Sequence, residues 1–223
     1  MSAATYKDLC IDAVDAPRLA RFWAEVLHRE VDRDDADLTR LTGPTERHTV
    51  WVNRVPEAVT VKQRVHLDVH AASVDDVLSA GAAPLDLETF RWKVLRDPEG
   101  GELCVFERDP VPDERLYEIG VDSADPERIA TWWADVLGST VAIDDADGSA
   151  SVRVPGAPFE SFVFSRVPEP KTVKNRIHWD VDTADVGLLV GDGARILREP
   201  DDDVSWTVLA DPEGNEFCAF VEA

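Results

Sequence analysis

Residues 9–28 read LCIDAVDAPRLARFWAEVLH, and residues 119–138 read IGVDSADPERIATWWADVLG. Phe22-Trp23 aligns with Trp132-Trp133, and Leu27 with Leu137. Two further blocks repeat in the same order. RVPEAVTVKQRVHLDV (54–69) answers RVPEPKTVKNRIHWDV (166–181), pairing His66 with His178. WKVLRDPEGGELCVF (92–106) answers WTVLADPEGNEFCAF (206–220), pairing Cys104 with Cys218. Three blocks in register identify a duplicated chain, and a period of this length is read before any other signal. The connector Asp109-Pro110-Val111-Pro112-Asp113-Glu114 carries two prolines and three charges, the composition of a linker. Two domains are therefore expected, at 1–110 and 115–223.

Within the first repeat the pattern alternates between strands and helices. Leu9, Ile11 and Ala13 alternate with Asp8, Cys10 and Asp12, the period-2 signal of a half-buried strand. A helix follows, with Asp15 as its cap, Pro17 in its first turn, and an apolar stripe of Leu19, Phe22, Trp23, Val26 and Leu27. Short strands are predicted near 37–42 and 48–54. Then the motif restarts: Val65, Leu67 and Val69 alternate with His66, Asp68 and His70, and a short helix runs from Ser73 to Ala80. Strands near 84–88, 91–96 and 102–107 close the repeat, with a turn at Asp97-Pro98-Glu99-Gly100. Each repeat is thus strand–helix–three strands, twice.

The FWAEVLH and WWADVLG helices, the central HxD strand and the closing DPEGNEFC together resemble the vicinal oxygen chelate superfamily, which groups glyoxalases, bleomycin-resistance proteins and extradiol dioxygenases. The TVKxRxHxD element is most similar to its glyoxalase-like subgroup. The resemblance implies an α+β fold of two tandem glyoxalase-like domains, each a pair of βαβββ units forming an open, cup-shaped mixed sheet with helices outside. It places a small-molecule ligand in the cups, often on a divalent metal. The implied activity is that of a lyase or isomerase, with metal-free sequestration of a drug or metabolite, or an extradiol-type dioxygenase, as alternatives. The family's metal ligands align here with Asp8 and Glu118 on the first strands, His66 and His178 on the central strands, and Cys104 and Cys218 on the last strands. Only the histidines keep the family's usual residue.

Alternation places Asp8, His66 and Cys104 on the side away from the helices, and likewise Glu118, His178 and Cys218. A carboxylate, an imidazole and a thiolate are acceptable zinc ligands. Equally, each histidine can bond a neighbouring carboxylate while each cysteine packs as a small apolar residue. The same faces offer His66, His178, Glu118 and Asp8 as acid–base candidates, with Asp68 and Asp180 beside them. Trp92 and Trp206, with Phe106 and Phe220, provide flat surfaces for an aromatic or cationic ligand. Arg64 and Arg176 are candidate anchors for a substrate anion.

The formal net charge of −22 argues against nucleic acid and anionic lipid as partners. No apolar run reaches the length of a membrane helix, and the first residues lack a basic region followed by an apolar stretch. With three cysteines and no disulfide framework, a cytoplasmic location is expected. Duplication supplies within one chain what single-domain relatives achieve by dimerising, so the expected state is a monomer or a homodimer. The acidic stretches 32–37, 144–147 and 201–203 are expected to be solvated loops.

Overall fold

A computed structural model describes residues 2–221. The chain forms four units of one pattern. Unit one is β1 (Ala4–Ala13), α1 (Ala16–Leu27), β2 (Glu30–Asp34), β3 (Leu38–Thr42) and β4 (Val50–Arg54). Unit two is β5 (Val65–Ala71), α2 (Val74–Ser79), β6 (Ala83–Asp86), β7 (Lys93–Arg96) and β8 (Glu102–Glu107). Unit three is β9 (Leu116–Ser123), α3 (Pro126–Leu137), β10 (Val141–Ile143), β11 (Ala150–Arg153) and β12 (Ser161–Arg166). Unit four is β13 (Ile177–Thr183), α4 (Val186–Gly191), β14 (Arg195–Arg198), β15 (Thr207–Ala210) and β16 (Glu216–Val221).

Two open, eight-stranded mixed sheets result, as the family resemblance implied. Their composition differs from the expectation that each repeat closes its own cup. One sheet runs β14-β15-β16-β13-β1-β4-β3-β2, joining units four and one. The other runs β10-β11-β12-β9-β5-β8-β7-β6, joining units three and two. We call the first the outer cup and the second the inner cup. The central seams are antiparallel, β1 against β13 and β5 against β9. Both pairings bury the same alternating residues, so the local pattern is indifferent to which unit supplies the partner strand.

The path of the chain follows from this pairing. Segment 55–64 carries it from the outer to the inner sheet, and 167–176 carries it back. The proline-bearing connector at 109–114 marks the border between repeats, yet it joins two strands of the same inner sheet. Arginines brace both crossings. Arg64 donates to the carbonyls of Glu169 (2.7 Å) and Asp122 (2.8 Å). Arg176 donates to the Glu57 carbonyl and to Glu99 Oε2, the latter at 2.7 Å. These side chains, expected as anchors for a substrate anion, tie the two crossing segments to the sheets and also line the cavity between those segments.

The faces away from the cups merge into one core. Leu9 and Ile11 of the outer sheet, Val65 and Leu67 of the inner sheet, and Trp23 and Trp133 of the long helices are buried within a single apolar cluster. Trp133 links the two sheets directly. Its ring lies 5.8 Å from Phe162 of β12, 5.0 Å from Trp179 of β13 and 5.1 Å from Phe217 of β16. Phe162 and Trp179 also stack on each other across the sheets at 4.3 Å.

The DPEG turns add polar fasteners. Glu99 accepts from the backbone N–H groups of Val14 (2.8 Å) and Asp15 (2.7 Å) at the entry to α1. Glu213 accepts from Asp125 N–H at 2.8 Å at the entry to α3. A carboxylate at a helix N-terminus satisfies orphan donors and complements the helix dipole. Each turn belongs to one sheet and each helix to a unit of the other, so every repeat is clamped across the two cups.

One acidic stretch departs from the loop expectation. Asp32 falls within β2, an edge strand whose charged side chains hid it from apolar patterning and suit an exposed sheet edge.

Candidate functional site

The outer cup encloses a cavity of about 430 Å³. Its floor comes from β1, β13 and β16. Register sets Cys10 opposite His178, and Asp180 opposite Cys218. Period-2 alternation then brings all four side chains to the concave face. The Cys10 thiol donates to Asp180 Oδ2 at 3.6 Å, and Cys218 Sγ lies 3.6 Å from His178 Nε2. His178 Nε2 is 3.7 Å from Asp180 Oδ1. Asp8 joins the cluster through a register irregularity in β1 between Tyr6 and Leu9. It accepts from Lys7 at 2.7 Å and from Trp51 Nε1 at 3.2 Å.

Burial governs the protonation of this floor. Burial, then the neighbouring Lys174 ammonium, lowers His178 to about 4, so its imidazole is neutral at physiological pH. Burial and the Asp8 charge push the Asp180 carboxyl well up. Burial, followed by the Asp180 carboxylate, raises both the Cys10 and the Cys218 thiol. Oδ1 of Asp8, Oδ1 of Asp180 and Nδ1 of His178 are buried and have no hydrogen-bond partner among the described residues. Unpaired polar atoms in such a place are costly unless something else meets them.

The walls are flat and partly aromatic. Trp206 and Phe220 stack at 5.3 Å with 27° between planes, on the side of β15 and β16. Trp51 of β4 and Leu38 of β3 line the opposite side. Lys7 Nζ sits 4.7 Å over the Phe220 ring. Lys174 reaches the rim and pairs with Asp12 at 2.5 Å.

The inner cup is the pseudo-symmetric counterpart with different contents. His66 Nε2 pairs with Asp68 at 3.2 Å. Burial works against the His66 proton, but the Asp68 carboxylate and Cys104 outweigh it and hold the imidazole well above its ordinary value. Gly120 stands where the outer cup has Cys10, and the His66 imidazole fills the space that a Cβ at position 120 would need. Glu118 accepts from Ser161 Oγ at 2.6 Å, and burial raises its carboxyl to about 7. Over this floor lies a continuous set of rings. Phe90 stacks on Trp92 (5.0 Å), Trp92 on Phe106 (5.5 Å), and His70 on Tyr117 (4.4 Å).

Crossing of the repeats reassigns the candidate ligand sets. Asp8 does not meet His66 and Cys104; it lies with His178, Asp180 and Cys218 in the outer cup. Glu118 does not meet His178 and Cys218; it lies on β9 beside β5, with Asp68 as its strand partner. The donor groups that do converge are Cys10, His178 and Asp180 in one cup, and His66, Asp68 and Cys104 in the other, each set within 4.8 Å. Cys10 is the residue that sequence reasoning passed over. Its alternation with Asp8 and Asp12 already placed it on the cup face, but without a counterpart at Gly120 it drew no attention. Trp92 and Trp206 each sit one residue before their strand, and each stacks on the phenylalanine named with it.

Glu118 makes stability depend on pH. Its native carboxyl binds a proton more tightly than the unfolded chain does, so its contribution is complete below about 4.5 and is lost as pH rises through about 7. Allowing for its partial exposure, Glu118→Gln is expected to gain about 1–2 kcal/mol over the wild type at pH 8. The gain should vanish at pH 4.5. Urea unfolding at the two pH values measures this; an equal difference at both would show that Glu118 does not titrate as described.

This architecture has clear relatives. The glyoxalase-like domain family's model matches residues 8–106 and again 118–220, and the chain belongs to that family, as its resemblance to the vicinal oxygen chelate superfamily implied. Glyoxalase I from Zea mays is similar in structure over 98% of this chain and 92% of its own, with a TM-score of 0.65 at 16% identity. A putative dioxygenase from Bacillus subtilis is similar over 98% of this chain and 85% of its own, with a TM-score of 0.66 at 12% identity. The cppA protein from Streptococcus pneumoniae is similar over 98% of this chain and 100% of its own, with a TM-score of 0.55 at 11% identity. Likenesses at these identities show the fold. No curated protein matches the sequence. No helix among the described residues is long and apolar enough to cross a membrane.

Proposed function

We propose that this chain binds a small molecule in the outer cup, the one built from units one and four. The carrying observation is the cavity of about 430 Å³ set over the Cys10, His178, Asp180 and Cys218 floor. Ligand sites are concave, mostly apolar and fitted with a few converging polar groups, and this cavity has those properties. Trp51, Trp206 and Phe220 supply apolar surface; His178 and the unpaired carboxylate oxygens supply polar contacts that orient a ligand. A thermal-shift screen of small molecules tests the reading, run on the wild type and on Leu38→Trp, which fills the cup from one wall. Compounds that raise Tm in the wild type are expected to lose at least tenfold in affinity for the variant. Compounds that stabilise both proteins equally would move the ligand out of this cup.

A second reading is favoured by the donor set. Cys10, His178 and Asp180 would hold a soft or borderline divalent ion such as zinc, and their chemistry suits it better than a hard ion bound by oxygen alone. A neutral imidazole and two unpaired carboxylate oxygens are consistent with such an occupant. When bound, the ion would act as a Lewis acid toward a ligand oxygen. Cys10 and Asp180 must lose their protons to bind it, so affinity is expected to rise with pH. Zinc titration by calorimetry should show an outer-cup site that is lost in Cys10→Ala and in His178→Ala. No heat above that of the Cys10→Ala variant would leave the cup as a metal-free pocket.

A further inference from the structure

The two cups share a scaffold but treat one position oppositely, and that difference points to the shape of the ligand. In the inner cup Trp92 stacks with two rings: Phe106 at 5.5 Å, and Phe90 at 5.0 Å with only 8° between planes. In the outer cup Trp206 has the equivalent of Phe106, since Phe220 stacks on it at 5.3 Å. At the place of Phe90 the second repeat has Val204. Val204 and Trp206 both line the cavity. The inner cup therefore supplies from its own chain a ring that the outer cup lacks.

We infer that the outer cup takes a neutral planar aromatic or heteroaromatic ring, stacked on Trp206 as Phe90 stacks on Trp92. This rests on the reading that the outer cup holds the ligand, and it adds the ligand's class and placement. Three features support it. Offset stacking of rings at 4.5–7 Å is favourable beyond the area it buries, and Trp206 keeps with Phe220 the stack that Trp92 makes with Phe106. The remaining differences follow the same division. Tyr117, which extends the aromatic set of the inner cup through Phe106, corresponds to Lys7 in the outer cup. Finally, the cations on the outer cavity are matched by acids. Lys7 pairs with Asp8, Lys174 with Asp12, and Arg198 with Asp201. A lining balanced in this way favours an uncharged ring over an ionic one.

The probes are 2-naphthol, which is planar and neutral, and 2-decalol, its saturated and equally neutral counterpart. Calorimetry on the wild type is expected to give one site for 2-naphthol, with 2-decalol bound at least tenfold more weakly. Val204→Phe, which gives the outer cup its own covering ring, should lose at least tenfold in affinity for 2-naphthol. Phe90→Val, which uncovers Trp92, should gain a second site. Circular dichroism and Tm confirm that each variant is folded, and the two substitutions predict opposite changes, so general damage cannot imitate both. Equal binding of the two alcohols, unchanged binding by Val204→Phe, or no heat from 2-naphthol at millimolar concentration overturns the inference. If both alcohols bind equally and Leu38→Trp still loses both, the stacking inference falls while the outer-cup reading stands. If Leu38→Trp binds both like the wild type, the outer-cup reading falls with it.

Discussion

Replacing Trp133 with alanine is expected to lower the free energy of unfolding by about 3–5 kcal/mol, the range for deleting a large buried aromatic side chain. The residue is fully buried. Its ring meets Phe162 of the inner sheet and Trp179 and Phe217 of the outer sheet, so truncation opens a cavity at the join between them. Its Nε1 also donates to Asp211 Oδ2 at 3.2 Å, and the truncation would leave that buried carboxylate with one donor fewer. Trp133→Phe keeps most of the ring and should cost clearly less. Urea denaturation of both variants gives the comparison. A loss below 1 kcal/mol in the alanine variant would mean that the sheets do not depend on this contact.

Cutting the chain within 109–114 is expected to have the larger consequence. Units one and four share a sheet, as do two and three, so each fragment carries halves of two cups and completes neither. A fragment alone leaves the edges of β1 and β5, or of β9 and β13, without their partners, and unpaired edges seek association. Because unit three resembles unit one and unit four resembles unit two, two copies of a fragment can also imitate the missing partner. Neither fragment should therefore persist as a folded monomer, and mixing them should restore a 1:1 complex with the far-UV spectrum of the intact chain. Size-exclusion chromatography with light scattering reads the outcome. Two stable, folded monomers would contradict the crossed pairing.

The parts of this fold written in local patterning are legible in the sequence. The Asp15 cap and the apolar stripe ending at Leu27 mark α1, and the alternation from Val65 to His70 marks β5. β2 was not legible, because EVDRD has a single apolar residue and an exposed edge strand needs no more. The crossed pairing was hidden for a deeper reason. A strand's alternation states which face is buried, but not which equivalent unit lies beside it, and a duplicated chain offers two equivalents. That one ambiguity propagated into the site. Alternation puts Asp8, His66, Glu118 and His178 on the concave faces, and the crossed pairing sets Asp8 near His178 and Glu118 opposite Asp68. Comparison of the repeats rewards what recurs, whereas the two cups differ in what does not: Cys10 against Gly120, Lys7 against Tyr117, Val204 against Phe90.

The proposed ligand occupies the cup shared by the two ends of the chain. The most direct measurement is a crystal structure with the tightest binder from the thermal-shift screen. Density is expected over His178 and Asp180, against Trp206. Density in the inner cup, or in the separate cavity of about 730 Å³ between the crossing segments 55–64 and 167–176, would contradict the claim.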